Sequence, residues 1–363
     1  MFYRSVLSWI VNSCSGLRLS QRKTLAQLVF GAMCCRRASL ADIGRSLRSR
    51  ALPKHSIKRV YRFLKNQRVE LAEGARVLLH LAARAAGGRL VVAVDWTDIR
   101  QYKVLCGAVP LRGRSLPVLF AAYEKWKLFK SQNALEEGFF RLLKALLPAR
   151  TQVVIVADRG FARTQLARTL QEIGLDYVIR VTGKVAFVSQ RHQGRLDHIR
   201  LKAGHRRDLG FGRYRRSKPL WQRVLVYWGQ GQKEPWFLAT NLRWGWRHVV
   251  GAFRQRMSIE ELFRDEKNLR YGWGLRELSL SQATRLERML LVLAFAYLLL
   301  VLMGLVARQR FSQAHWSATT SPKKPTSAFV IGRHMQGRTT FRFRELLHTL
   351  LHHLSQLVKE NWG

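Results

Sequence analysis

The sequence predicts an α/β protein with a basic β-rich insertion and helical regions at both ends. Between residues 89 and 182, aliphatic runs of strand length alternate with amphipathic stretches, which is the pattern of an α/β core. From 183 to 235, short β-like runs are separated by Gly, Arg and His. Residues 1–88 and 311–363 show helical periodicity. Segment 236–310 is predicted to form the second part of the α/β core.

The charge of the chain points to a polyanionic partner. Among 363 residues, 64 are Lys or Arg and 22 are Asp or Glu, so the formal net charge is +42. Such a charge repels itself and attracts nucleic acid, and it is spread along the whole chain rather than confined to one tail. A hydrophobic content of 47% allows sizeable cores and argues against global disorder.

The cysteines and the N-terminus predict a reducing cytoplasmic location. Cys14, Cys34, Cys35 and Cys106 form no C-x-x-C pair, so they indicate neither a zinc site nor a disulfide frame. The opening MFYRSVLSWIVNSCSG carries one Arg and a short apolar stretch, with no clear small-x-small cleavage site. We therefore expect no secretion.

One apolar stretch leaves two interpretations open. Met289 to Val306 comprises 18 uncharged residues, which is the threshold length for a membrane span. The alternative is a helix buried on all sides in a large core.

Two short helices near the N-terminus resemble a helix-turn-helix unit. ASLADIGRSL begins with Ser39 placed as an N-cap, and a basic loop follows it. Ser56–Asn66 then has apolar residues at a helical period, and its other face carries Lys58, Arg59 and Arg62. These three cations are predicted DNA contacts. The alternative is a small helical bundle whose basic face is merely solvated.

Two aspartates each follow a run of aliphatic residues. RLVVAVDWTDIR predicts a buried strand ending at Asp95, and TQVVIVADRGFART repeats the pattern at Asp158. If the strands are neighbours, the two carboxylates lie close together and repel, and a divalent metal resolves that conflict. Hard oxygen ligands select Mg²⁺ or Mn²⁺. Taken singly, each Asp is better explained as a turn or N-cap residue, and it is the repetition of the pattern that favours a metal site.

A predicted helix from about 247 to 269 supplies a third acid. At 100° per residue, four side chains fall within an arc of about 60°: Phe253, Arg256, Glu260 and Lys267. Glu260 can then join the metal ligands, while Arg256 and Lys267 meet phosphates. The alternative is an ordinary charged helix with ion pairs four residues apart.

The remaining residues of this helix are assigned by the same geometry. Three apolar side chains, Ile259, Leu262 and Leu269, are expected to face the core. Three acids off the arc, Glu261, Asp265 and Glu266, are expected to be solvated partners of nearby arginines.

These motifs together resemble the DDE-type transposases of bacterial insertion sequences, in the fourth insertion-sequence family. That family shows Y-x2-R-x3-E-x6-K, and the chain has Phe253, Arg256, Glu260 and Lys267 at those spacings. VDWTDIR and ADRGFART match its two Asp motifs, and VYRFLKN, WFLATNL and RLERMLLVLAF resemble further segments. The likeness covers most of residues 56–300. Phe253 departs from the family's Tyr, which puts its phosphate contact in doubt.

The resemblance implies a ribonuclease-H-like catalytic core that holds two Mg²⁺ ions, for which Mn²⁺ may substitute. Asp95, Asp158 and Glu260 would be both the catalytic residues and the metal ligands. The partners implied are double-stranded DNA, as transposon inverted repeats and target, and a second copy in a synaptic homodimer. The expected location is the bacterial cytoplasm, at the nucleoid when DNA is bound. The core would bury Met289–Val306, so no stable membrane association is expected.

Further DNA contacts follow from the same resemblance. Trp236 in WFLAT matches a Trp that stacks on a base flipped from the DNA, although a core Trp at a strand edge is an equal alternative. Phe253 and Arg159 are counted with the DNA-binding residues. Cut-and-paste transposition, in some relatives through a hairpin, is the implied reaction.

The domain functions follow: 1–88 binds DNA, 89–182 and 236–310 form the catalytic core, and 183–235 is the basic insertion. The 311–363 region ends in an amphipathic helix that either pairs two protomers or packs on its own domain. Two other functions stay open, namely a ribonuclease-H-fold nuclease that cuts without joining and a non-catalytic nucleic-acid-binding protein derived from a transposase.

Overall fold

The computed structural model describes residues 2–128, 132–215, 218–317 and 326–362. The helices described are α1 Phe2–Ser13, α2 Leu19–Cys34, α3 Leu40–Arg45, α4 Pro53–Lys65, α5 Leu71–Ala85, α6 Gln132–Leu146, α7 Thr164–Glu172, α8 Trp246–Gln255, α9 Met257–Lys267, α10 Ala283–Arg310, α11 Ala328–Met335 and α12 Phe343–Asn361. The strands described are β1 Arg89–Ile99, β2 Tyr102–Leu111, β3 Arg114–Glu124, β4 Gln152–Ala157, β5 Asp176–Val181, β6 Ala186–Ser189, β7 His192–Arg195, β8 Arg206–Tyr214, β9 Leu220–Tyr227 and β10 Trp236–Thr240. Helices therefore flank a large mixed sheet, as the α/β prediction requires.

The described strands form one ten-stranded sheet in the order β3-β2-β1-β4-β5-β10-β9-β8-β6-β7. β1, β2 and β3 pair antiparallel, and β4 and β5 run parallel to β1. β10 then pairs antiparallel with β5 and with β9. The strands of 183–235 thus extend the core sheet edge to edge, and they carry a second small hydrophobic cluster around Phe187 and Val224.

The apolar helix α10 is the centre of the main core. It contacts β3 and five other helices, α2, α4, α5, α11 and α12. It is long and apolar enough to cross a membrane, but its most apolar window is entirely buried inside the protein. The helix therefore belongs to a core, as expected from the resemblance, since every face of it has a protein neighbour.

Two glycines let α10 and α11 approach closely. A Cβ on Gly304 would lie 1.8 Å from the Ala328 carbonyl oxygen, and one on Gly332 would lie 1.9 Å from that of Leu300. Each backbone occupies the space that a side chain would need, so no other residue fits at either position.

The N-terminal helices agree with their sequence signals. The Ser39 side chain accepts a hydrogen bond from the Asp42 backbone N–H at 3.0 Å and caps α3, as predicted. Val60, Phe63 and Leu64 of α4 are buried. All five N-terminal helices contribute to the same hydrophobic cluster as the sheet and α10, so this region is packed against the rest of the core.

Two element boundaries differ from those predicted. β1 does not end at Asp95 but continues to Ile99, because its last residues pair with β2 in a hairpin. The predicted helix 247–269 is divided into α8 and α9 at Arg256, and α9 ends at Lys267. Leu269 consequently lies beyond the helix and is exposed, whereas Ile259 and Leu262 face the core as expected.

The C-terminal helix α12 packs on its own chain. It contacts α5, α8, α10 and β2, and Leu346, Leu350 and Leu354 are buried there. Of the two alternatives for this helix, the structure shows intramolecular packing.

Candidate active site

The register of the parallel strands brings Asp95 and Asp158 to one edge of the sheet. Val94 of β1 is paired with Ala157 of β4, and each aspartate is the next residue along its chain. The Asp95 carboxylate accepts a hydrogen bond from the Trp96 backbone N–H at 2.8 Å, and Asp158 accepts one from the Arg159 N–H at 2.7 Å. The predicted adjacency of the two strands is therefore confirmed.

Two other acids affect the protonation of the Asp95 carboxyl. Burial raises the pKa of Asp95 to about 6, and repulsion from Asp158 and Glu260 adds to the effect. The guanidinium of Arg256 and the Trp96 N–H act in the opposite direction. Asp158 and Glu260 are thus each near enough to Asp95 to affect its carboxyl group.

Arg256 is the cation that joins two of them. Its Nη2 lies 2.8 Å from Glu260 Oε1, and its Nη1 lies 3.4 Å from Asp95 Oδ2. The guanidinium side chain is 9% exposed, whereas the Glu260 side chain is 45% exposed. The Glu260 side chain is therefore open to solvent. The Arg256 side chain is buried and links Glu260 of α9 to Asp95 of β1.

The donor chemistry of the site suits a hard divalent cation, because its ligand atoms are carboxylate oxygens. Within residues 2–128, 132–215, 218–317 and 326–362, however, no three His, Cys, Asp or Glu side chains are grouped closely enough to hold one ion. The cation that compensates Asp95 and Glu260 in this arrangement is the Arg256 guanidinium.

Lys267 is held by a residue that the sequence analysis missed. Its Nζ donates a hydrogen bond to Thr97 Oγ1, and burial lowers the pKa of this amine. Thr97 follows Asp95 by two residues on β1, so both side chains lie on the same face of the strand. That spacing in VDWTD was the signal that could have identified it.

Asp265 and Glu266 are buried, so the prediction that they are solvated is wrong. Asp265 Oδ2 lies 2.8 Å from Arg114 Nε and accepts a hydrogen bond from the Tyr297 hydroxyl at 2.9 Å. Burial raises the pKa of Glu266 to about 8, and its Oε1 has no hydrogen-bond partner among the described residues. The reason is that α9 packs against β1, β2 and β3, while Tyr297 of α10 contacts Asp265.

We expect the Glu266→Gln substitution to remove part of the pH dependence of stability. The folded chain keeps the Glu266 proton up to about pH 8, whereas the unfolded chain releases it near 4.5. The free energy of unfolding therefore falls as pH rises through this range, by up to about 1.4 kcal/mol per pH unit. Denaturant unfolding at several pH values should show a shallower slope in the variant. Glu261→Gln, at a half-buried position of α9 whose carboxylate is paired with Arg114 and Arg264, should keep the wild-type slope. An unchanged slope in Glu266→Gln would contradict the buried, protonated state.

Phe253 is not available to DNA in this structure. Its side chain is 3% exposed, and its ring meets Trp236 edge to face with the centroids 5.0 Å apart. Trp236 is half-buried and also lies 6.1 Å from the Tyr227 ring. Phe253 therefore packs against Trp236 in this structure, and the DNA contact assigned to it stays a prediction that its buried position does not favour.

Trp236 lies at the same edge of the sheet as the aspartates. Phe237 of β10 pairs with Val181 of β5, and β5 runs parallel to β4 with Ile179 opposite Ala157. The start of β10 therefore lies level with the ends of β4 and β5. From that position the Trp236 ring contacts Phe253 and Tyr227.

The other predicted DNA contacts lie on the surface. Arg159 is exposed directly after Asp158. Lys58 and Arg62 are exposed on α4, while Arg59 is half-buried and donates a hydrogen bond to Gln27 of α2 at 2.9 Å. The α4 cations line a cavity of about 360 Å³ between α2 and α4 rather than joining the acids.

The sequence of the chain decides its family. Residues 86–299, more than half of the chain, match the family described as Transposase DDE domain. The chain belongs to that family. The matched range contains all three acids, and it confirms the DDE-type resemblance that their spacing predicted.

Beyond the family match, the transposase shows a distant likeness to a solved structure. No curated protein sequence matches it. Among solved structures, it is similar to the piggyBac transposase in a cryo-EM synaptic complex with hairpin DNA, with 12% sequence identity and a TM-score of 0.44 over 98% of this chain and 78% of the other.

Proposed function

We propose that this transposase binds transposon ends and catalyses metal-dependent DNA cleavage and strand transfer at Asp95, Asp158 and Glu260. The observation that carries the proposal is the electrostatic convergence of the three acids at Asp95, on the edge where β1 and β4 lie side by side. Transposases of this family generally use divalent metal ions. The strand order β3-β2-β1-β4-β5 supports a ribonuclease-H-like assignment of this part of the sheet.

The three carboxylates would hold Mg²⁺, or Mn²⁺ in its place. Two such ions supply activation of the attacking oxygen and stabilisation of the leaving oxygen in an in-line displacement. Asp95 must give up its proton to act as a ligand, and its pKa of about 6 allows this at neutral pH.

Arg256 and Lys267 provide the phosphate contacts in this proposal. The Arg256 guanidinium is planar and presents a fork of donors, and Lys267 is directed by Thr97 along the same face as Asp95. Since phosphoryl transfer needs positioning and charge neutralisation rather than a covalent enzyme intermediate, these two side chains would orient the scissile phosphate beside the acids.

A strand-transfer assay tests the joining step. Supplied with pre-cut ends carrying a free 3′-OH, the protein should insert them into a target duplex in Mg²⁺. A ribonuclease-H-fold nuclease that only cuts would leave such ends unjoined, and that result would contradict the proposed function.

We expect Trp236→Ala to slow hairpin formation by about fivefold or more while changing the first nick less, because loss of base stacking costs about 1–3 kcal/mol. Single-turnover gels resolve the two steps. Trp221→Ala removes an exposed indole from β9 and should change neither step. Equal slowing of nicking and hairpin formation by Trp236→Ala would contradict the stacking role.

The basic face of α4 is proposed to contact the phosphates of the transposon end. We expect Arg62→Gln to reduce the slope of log affinity against log salt by roughly 0.9, the value for one lost phosphate contact. Fluorescence anisotropy with end DNA at several salt concentrations measures the slope. Arg141→Gln removes an equally exposed cation from α6 and should leave the slope unchanged, whereas equal changes in both variants would indicate nonspecific attraction.

Because transposition joins two ends, we further propose a homodimer in the DNA complex. The buried apolar face of α12 is already occupied by its own chain, so another surface would form the contact. Sedimentation of the protein with and without end DNA measures the stoichiometry.

A further inference from the structure

A cavity of about 820 Å³ lies outside the proposed active site and outside the basic face of α4. It opens between α1 and α2 on one side and α11 with the approach to α12 on the other, and the turn that follows α9 forms part of its wall. Its volume is in the range of ligand-binding clefts.

Hydrogen bonds from one arginine connect the walls of this cavity. Arg333 of α11 donates hydrogen bonds from Nη1 to the Tyr271 and Gly272 carbonyls at 2.9 and 2.5 Å, and from Nη2 to the Arg36 and Cys35 carbonyls at 2.8 and 3.3 Å. One guanidinium therefore joins α11, the turn after α9 and the end of α2. The cavity is preformed rather than a loose gap between elements.

The floor of the cavity is aromatic and apolar. The Tyr3 and Phe30 rings meet edge to face with centroids 4.8 Å apart, and Met33, Met303 and Phe341 complete the surface. The Arg48 guanidinium already lies 4.7 Å from the Phe30 centroid and 5.5 Å from that of Tyr3. Such a surface accepts a flat ring system.

The rim carries four exposed arginines, namely Arg36, Arg48, Arg270 and Arg342. In the part of the chain that the structure describes, none of them forms an ion pair with a carboxylate. An anion bound at this rim would therefore contact arginines whose charge no carboxylate neutralises. A second copy of a chain with net charge +42 would be repelled, so a nucleic acid is the favoured occupant.

The cavity begins close to the active site along the chain. Arg270 is three residues beyond Lys267, so their Cα atoms are at most about 11 Å apart. We propose that this cavity holds an unpaired nucleotide of the DNA strand that passes Lys267, with its base against Tyr3 and Phe30 and its phosphate on the arginine rim. The proposal rests on the DNA binding proposed above.

Cys34 provides a local readout. It lines the cavity and is the exposed one among the four cysteines, since Cys14, Cys35 and Cys106 are buried. Its alkylation rate is measured on the full chain in EDTA, with a single-stranded oligonucleotide, a duplex of equal length or inorganic polyphosphate. The oligonucleotide should slow alkylation about tenfold, and polyphosphate should need at least about fivefold higher concentration for half its effect, because it has no base to stack.

Two variants and a matched control test the contacts. Tyr3→Leu and Arg342→Gln should each raise the half-protecting oligonucleotide concentration about fivefold, whereas Arg344→Gln, an exposed neighbour outside the cavity, should not. Protection in wild type that is retained fully in Tyr3→Leu would overturn the proposal. So would slower alkylation caused by raising the protein concentration alone, which would identify a second copy as the occupant.

Fluorescence anisotropy of the same oligonucleotide distinguishes DNA binding by the protein from occupancy of this cavity. Oligonucleotide that binds the protein without protecting Cys34 overturns the cavity assignment and leaves the proposed function standing. Failure of every DNA form to bind contradicts the proposed function and the cavity assignment together.

Discussion

Glu260→Gln is expected to lower the rate of DNA cleavage about a thousandfold while leaving the affinity for transposon ends nearly unchanged. The amide keeps the size of the side chain but lacks the charge needed to hold a divalent ion. Stabilisation by such an ion contributes several kcal/mol, and each 1.36 kcal/mol is a factor of ten in rate. Glu260 is 45% exposed, so its replacement should not disturb the fold. Single-turnover cleavage in Mg²⁺ and anisotropy with end DNA measure the two quantities.

Glu261→Gln is the matched control for this experiment. Glu261 is the next residue on α9, and its carboxylate pairs with Arg114 and Arg264 instead of facing Asp95. Cleavage by Glu261→Gln should stay within a fewfold of wild type. A Glu260→Gln protein that cleaves at the wild-type rate, or an equal loss in both variants, would end the assignment of Glu260 as a metal ligand.

Arg256→Gln is expected to reduce cleavage by about 10–100-fold and to move its pH profile upwards. Hydrogen bonds to charged groups contribute about 1.5–3 kcal/mol, and this guanidinium contacts both Asp95 and Glu260. Because Arg256 lowers the pKa of Asp95, its removal should raise that pKa further above about 6. More of the carboxyl would then be protonated near neutral pH, and the acid limb of the rate profile should shift in the alkaline direction.

The pH profile separates this role from a merely structural one. Arg256→Lys keeps the charge but loses the forked geometry. It should therefore recover part of the cleavage rate and return the pH profile most of the way to its wild-type position. Arg264→Gln removes an exposed arginine from α9, the helix that Arg256 precedes, and should change neither quantity. A rate loss in Arg256→Gln without any shift of the profile would contradict electrostatic control of Asp95.

The aspartate pair was predictable because it depends on a local pattern and one general rule. An aliphatic run followed by Asp occurs at both Asp95 and Asp158, and parallel neighbouring strands place equivalent positions at one edge. The Ser39 cap followed from its capping signal, and the buried positions of α4 together with Ile259 and Leu262 of α9 followed from helical periodicity. The family was equally readable, because its motif combines several residues at ordered spacings.

The sequence could not show which residues of α9 would be covered. Periodicity states which side chains share a face, but not how many faces have neighbours. Asp265 is buried because Arg114 of β3 and Tyr297 of α10 close over it, and neither partner is near in sequence. Glu266 is buried as well, on a helix that packs against β1, β2 and β3. Phe253 is buried for a related reason, since the start of β10 brings Trp236 onto its ring.

The sequence by itself determined the α/β class and the family and singled out the three acids, because each follows from composition, period or spacing within a short stretch. The length and composition of α10 left a membrane span and a core helix open, and its burial inside the protein shows the core helix. Only the tertiary structure decided that Arg256 joins Asp95 to Glu260, that Thr97 holds Lys267 and that the insertion continues the core sheet. Those contacts join residues far apart in the chain. Their geometry depends on strand register and helix packing, which no local pattern of residues specifies.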